Sequence, residues 1–174
     1  MPKALSTFLK EPVTEHIQLR DAEFEAIGVQ LKEKVDKIFG RSLAIRELDA
    51  GSDNSVEIEL NNLSTPYYDV ERFGITFVAS PRHADILIVT GAITLNMEIA
   101  AKKTYDAMPS PKFVIAVGDD ACGCGIQNES YAVLGGADKI FNVDLKIPGN
   151  PPSPKEIIRG LLSLVCQIEK QSRV

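Results

Sequence analysis

The chain has 174 residues, 44% of them hydrophobic, which is enough for one domain with a substantial core. Its 24 acidic and 19 basic residues are interspersed and leave a net charge of -5, which excludes the basic footprint of sequence-independent nucleic-acid binding. No apolar run reaches the roughly 18 residues of a membrane span, and the opening MPKALSTFLKEP lacks a signal-peptide core, so a cytoplasmic location is expected.

Residues 1–22, with Pro2, Pro12 and mixed charges, read as an extended arm; residues 23–174 read as a single α/β domain. Over 23–39 the apolar positions Phe24, Ile27, Leu31, Val35 and Ile38 recur at helical spacing, and Gly40 supplies a stop. LAIREL at 43–48 is the first strand. It runs into the stretch 49–60, DAGSDNSVEIEL, where Asp53 or Asn54 is placed to cap a short helix and Glu57 to close a capping box on Asn54. Thr65-Pro66 is expected to start another helix that Gly74 ends. Strands follow at 75–78 and at 85–90, where DILIVT is a continuous β-branched run of the kind buried on both faces of a parallel sheet. Gly91 turns the chain into a helix over 95–108.

FVIAV at 113–117 is another buried strand, and 139–143 a shorter one. The last helix has Ser153 as N-cap, Pro154 in the first turn and Glu156 closing a capping box, with Ile157, Ile158, Leu161, Leu162 and Val165 as its buried stripe. Alternation of strands and helices predicts a doubly wound α/β fold with a mostly parallel sheet of four or five strands. Three stretches then fall at the carboxyl ends of strands: 49–60, VGDDACGCG at 117–125, and IPGNPP at 147–152. In such a sheet this is the edge where ligands bind.

Those stretches, together with PYYDVERFGITFVASPRHADILIVTG and PKFVIAVGDDACGCG, closely resemble one family over residues 43–164, in the same order and at the same spacing. It is the small iron–sulfur subunit (NuoB or PSST type) of energy-converting NiFe hydrogenases, formate hydrogenlyase and NADH:quinone oxidoreductase (complex I). The turn followed by EIEL is similar to the hydrogenase form. The resemblance implies a flavodoxin-like core that holds one 4Fe–4S cluster against a large catalytic subunit. It also implies ferredoxin-like and membrane subunits nearby, and thus peripheral placement on the inner face of the cell membrane. Carried onto this chain, the family's four cluster-ligand positions are Asp53, Val56, Asp120 and Asn150, and none is cysteine. The flanking residues Gly51, Ser52, Asn54, Glu57, Glu59, Gly118, Asp119, Pro148, Gly149, Pro151 and Pro152 are retained. The resemblance therefore implies a docking subunit with no cluster of its own, and makes Glu57 a weak proton-relay candidate.

Competing readings rest on the same residues. Cys122 and Cys124 are the sulfur donors for an unconventional cluster, with Asp53 and Asp120 adding carboxylates, although carboxylate is a harder donor than such clusters take. Loop thiols are the plainer explanation. Asp53, Asp120 and Asn150 offer oxygen to a hard cation, or serve simply as caps and turns. Glu57 and Glu59 suit the first turn of a helix. TGAITLN, after Thr90, has the form of a phosphate-cradling turn, which raises a flavin as a third possibility. Cys166 falls on the apolar stripe of the last helix as an inert thiol. Tyr67 and Tyr68 are expected to pack helix on sheet, Arg72 and Arg82 to be interface or salt-bridge residues, His83 to sit at the start of a strand, and Gly135-Gly136 to make a turn. No nucleophile–base pair stands out, so the isolated chain is not expected to catalyse a reaction.

Overall fold

The computed structural model describes residues 21–171; most of the expected arm, residues 1–20, lies outside the described residues. Helix α1 (Ala22–Phe39) starts at Asp21, whose carboxylate accepts from the Glu23 and Phe24 N–H groups, and ends at Gly40 in the left-handed conformation. Strand β1 (Leu43–Asp49) leads into α2 (Ser55–Leu63), followed by β2 (Ile75–Phe77), β3 (Ile86–Thr90), β4 (Ile93–Thr94) and α3 (Glu98–Ala107). Then come β5 (Phe113–Val117), the single-turn α4 (Asp119–Cys122), β6 (Val133–Gly135), β7 (Leu145–Ile147) and α5 (Pro154–Gln171).

The main sheet has the order β2-β1-β3-β5-β7, with every pairing parallel. It is a flavodoxin-like arrangement. All five residues of β3 are buried, and because alternate side chains enter the two opposite cores, Ile86 to Val89 are all apolar. Ile86 and Ile88 join one core with Leu31 and Val35 of α1, Val56 and Leu60 of α2, and Ile157 and Leu161 of α5. Leu87 and Val89 face the other way, onto Ala101 of α3, Ala121 of α4 and Phe141. At about 1.5–3 kcal/mol for each fully buried large aliphatic side chain, these two clusters dominate the stability. Strand order reverses between β1 and β3, so the chain's switch point lies where the loops after those strands leave the sheet.

Several expectations are corrected. Residues 65–74 do not form an α-helix: Asp69 adopts a positive φ of 44°, and only a 3-10 turn, Val70–Phe73, precedes Gly74. Aromatic packing overrides the local signal there, because Tyr68 and Phe73 are drawn onto Phe24 of α1 with ring centroids 4.8 and 6.0 Å away. Tyr68 thus packs on Phe24 of α1 and against the core cluster, whereas Tyr67 touches Tyr68 and stays 43% exposed.

Residues 139–143 are not a strand. Phe141 N–H donates back to Ala137 O, which turns its ring inward against Tyr105 at 5.4 Å. The edge strand is β7, held in register by Asp144, whose carboxylate accepts from Val114 N–H at 2.8 Å. The helix expected from 95 starts at Glu98, because Ile93–Thr94 first pairs antiparallel with β6. That pairing, which uses Gly135, was not anticipated. At α5 the capping box forms, with Ser153 N–H donating to Glu156 Oε2 at 2.7 Å. Leu162 and Cys166 are only half-buried.

Candidate functional site

The loops after β1, β5 and β7 meet at one end of the sheet. Each is fixed by main-chain hydrogen bonds. Asp49 Oδ1 accepts from the Gly51 and Ser52 N–H groups, both at 2.9 Å. Asp119 Oδ1 accepts from Gly149 N–H at 2.8 Å, and Asp119 N–H donates to Gly149 O at 2.9 Å, which ties the second loop to the third. Gly91, after β3, lies close against the first loop: a Cβ there would stand 2.4 Å from Ser52 N, and φ is +69°. Asp119 was read only as retained scaffold; its neighbour-bridging role is set by three-dimensional packing and left no sequence signal beyond the GDD turn.

Asp53, Val56, Asp120 and Asn150 line the one small cavity at this junction, together with Ser52, Gly91, Gly118 and Gly149. The four positions are therefore brought together. The cavity has about 10 Å³ of free space, room for about one water. Val56 is buried, and its Cγ2 comes within 2.6 Å of where a Cβ on Gly118 would stand. Asp53 is exposed and spends its carboxylate on Ser55, accepting from N–H at 2.9 Å and from Oγ at 2.5 Å. The Ser55 hydroxyl and amide hold its pKa below the usual value. Asp120 Oδ1 accepts from Gln127 N–H at 3.1 Å.

An iron–sulfur cluster requires four thiolates, or imidazoles in their place. The lining offers two carboxylates already engaged, an amide and an alkyl group, and so does not match that donor set. Among the described residues, no three His, Cys, Asp or Glu side chains are grouped to hold a metal ion.

Neither Cys122 nor Cys124 lines this cavity, although the Cys124 thiol donates to the O of Asp119, a lining residue, at 3.4 Å. Cys122 lines a separate recess with Lys139 and Lys146, and its thiol donates to Ala116 O at 3.6 Å. Burial, reinforced by Cys124, pushes the Cys122 thiol up to about 11, away from a metal-binding thiolate. Cys124 is exposed. The turn after Thr90 opens into β4 instead of a helix, so the phosphate cradle expected there is not formed.

Glu57 departs from expectation. Asn54 makes no side-chain cap and has φ +70°, so the capping box with Glu57 is absent. Glu57 is instead 7% exposed, and both its carboxylate oxygens are buried without a hydrogen-bond partner. Glu59 is half-buried near Asn62. Among the remaining candidates, Arg72 pairs with Glu25 at 2.6 Å, and Arg82 and His83 are exposed.

A parallel α/β domain with its loops gathered at a switch point is the class that this geometry defines. A family model described as NADH ubiquinone oxidoreductase, 20 kDa subunit, matches residues 54–164, and the chain belongs to that family. A solved chain from the membrane-bound sulfane sulfur reductase (MBS), an archaeal respiratory membrane complex, is 35% identical, with a TM-score of 0.66, covering 75% of this chain and 72% of that one. No helix among the described residues is long and apolar enough to cross a membrane.

Proposed function

We propose that this chain is a subunit of a membrane-associated respiratory oxidoreductase of hydrogenase or complex I type, that it docks on a large subunit, and that it holds no 4Fe–4S cluster of its own. One observation carries this reading: the four ligand positions implied by the resemblance line a single cavity, and every one has a side chain other than cysteine. The scaffold residues around them are kept, as expected of a docking part whose shape is still needed. Family membership and the likeness to a subunit of a respiratory complex support a peripheral place held by partner subunits.

The electron-transfer alternative through Cys122 and Cys124 gains nothing from the geometry, because the half-buried thiol points into a different recess. The test is metal analysis. Protein purified without oxygen is expected to be colourless, with negligible iron and acid-labile sulfide. About four irons per chain with matching sulfide would overturn the proposal.

A further inference from the structure

Strand β1 is paired unequally on its two sides. Against β3 it runs in register from Ile45 to Asp49, whereas against β2 the register ends at Ile45 and Phe77. Val78 N–H to Ile45 O, at 2.8 Å, closes that ladder. The chain then leaves through Ala79 for a 3-10 turn, Pro81–His83, capped by Ser80. Main-chain groups aimed at one neighbour alternate along a strand. Leu43 N–H donates to Gly74 O at 2.8 Å and Ile45 O accepts from Val78, so Glu47 is the next residue to turn its N–H and C=O to that edge. Among the described residues, β1 is therefore paired on one side only from Arg46 to Asp49.

A recess of about 240 Å³ lies against this edge. Leu60 and Phe77 give it apolar walls, Asn61 and Ser64 line it from α2, and Arg46 and Glu47 line it from β1. The two charged side chains belong to opposite faces of the sheet. Leu43 and Ile45 join the cluster on the α2 side, and Leu48 and Ala50 join the other. Alternation thus directs Glu47 toward α2 and Arg46 away from it. The volume falls below the roughly 300–1,000 Å³ of small-molecule sites. A strand edge with unpaired main-chain groups is instead a template for an added extended chain.

We infer that an extended segment of the partner subunit adds to β1 at Glu47, with an acidic side chain of that segment against Arg46. The Glu47 main chain supplies the hydrogen bonds that hold the segment, and Arg46 supplies the selectivity, because a guanidinium fork binds a carboxylate through two parallel bonds. Alternation within the added strand keeps the acid on the Arg46 face, clear of the Glu47 carboxylate. The inference rests on the docking reading above and names where one partner segment lies. Residues 1–20 are the competing occupant, and deleting them separates the two.

The experiment uses tagged full-length chain expressed in its native host, as wild type, Arg46→Glu, Arg46→Lys and a form without residues 1–20. Amide exchange at Glu47 is expected to slow about tenfold or more between the isolated chain and the purified complex. In the isolated chain, that exchange is expected to be the same with and without residues 1–20. Partner recovery from solubilised membranes is expected to fall about tenfold for Arg46→Glu, where like charges meet, and less for Arg46→Lys. A photo-crosslinking amino acid placed at Ser64 is expected to link to a segment of a co-purified subunit with Asp or Glu beside the linked residue. The exchange and crosslinking measurements leave Arg46 intact, so they decide the matter even where the charge reversal disturbs folding. Unchanged exchange at Glu47 in the complex, undiminished recovery with Arg46→Glu, or a crosslink to residues 1–20 would overturn the strand addition alone. So would protection of Glu47 in the isolated chain that disappears when residues 1–20 are deleted. Recovery of no partner even by wild type would overturn the docking reading and the strand addition together.

Discussion

Asp85 joins the starts of two central strands through one carboxylate. It is 6% exposed, receives Arg41 on both oxygens at 2.9 and 2.6 Å, and accepts from Ala44 N–H at 3.0 Å. Arg41 is 57% exposed, so its guanidinium is readily rehydrated and the ion pair adds little by itself. The buried Ala44 amide has no such recourse. Asp85→Ala is therefore expected to lose about 2 kcal/mol, most of it the cost of stranding that N–H. Asp85→Asn keeps an acceptor for Ala44 and is expected to lose less. Urea unfolding of the three proteins checks the order, and equal losses for both variants would assign the effect to the ion pair.

Helices α1 and α5 are fastened along their length by charge. Lys155 pairs with Asp21 and Arg159 with Glu23 at one end; at the other, Glu169 takes Lys34 and Lys37, each at 2.7 Å. Lys34 first, then Lys37, holds the Glu169 pKa down to about 2, from 4.5. A depressed carboxylate pKa contributes stability above the unfolded value, and that contribution is lost as pH falls through the folded one. The Tm difference between wild type and Glu169→Gln is thus expected to be constant above about pH 5 and to vanish toward pH 2. A difference that persists at pH 2 would point to packing instead of charge. None of these cross-helix pairs was readable from the chain, since their partners are far apart in sequence. What was readable was the apolar periodicity of α1 and α5 and the unbroken runs of β3 and β5, where burial on both sides dictates every position. The short edge elements were misread: 65–74 is reshaped by Phe24, and 139–143 by the ring of Phe141. At the site, the convergence of three loops was legible from strand–loop order, whereas the burial of Glu57 was hidden behind a plausible capping pattern.

At the scale of the whole molecule, the sheet sets the positions of the loops that meet beyond it. Two apolar clusters hold β1, β3, β5 and β7, and main-chain bonds such as Ala50 N–H to Thr90 O at 3.0 Å and Gly118 N–H to Ile147 O at 2.9 Å carry that rigidity into the turns. The scaffold should therefore tolerate four thiols at its cavity. The quadruple variant Asp53→Cys, Val56→Cys, Asp120→Cys and Asn150→Cys is expected to fold, then to take up about four irons with sulfide on anaerobic reconstitution. Because a group bound only to the folded state adds stability by mass action, chelation is expected to lower Tm in the reconstituted variant and leave wild type unchanged. The small free space of the cavity sets the opposing case: replacing Val56 must open enough room for a cluster of eight atoms. A variant with native circular dichroism that remains colourless would show that the loops have closed over the place their sequence pattern marks. A chelator-dependent Tm in wild type would show instead that the chain as it stands binds metal.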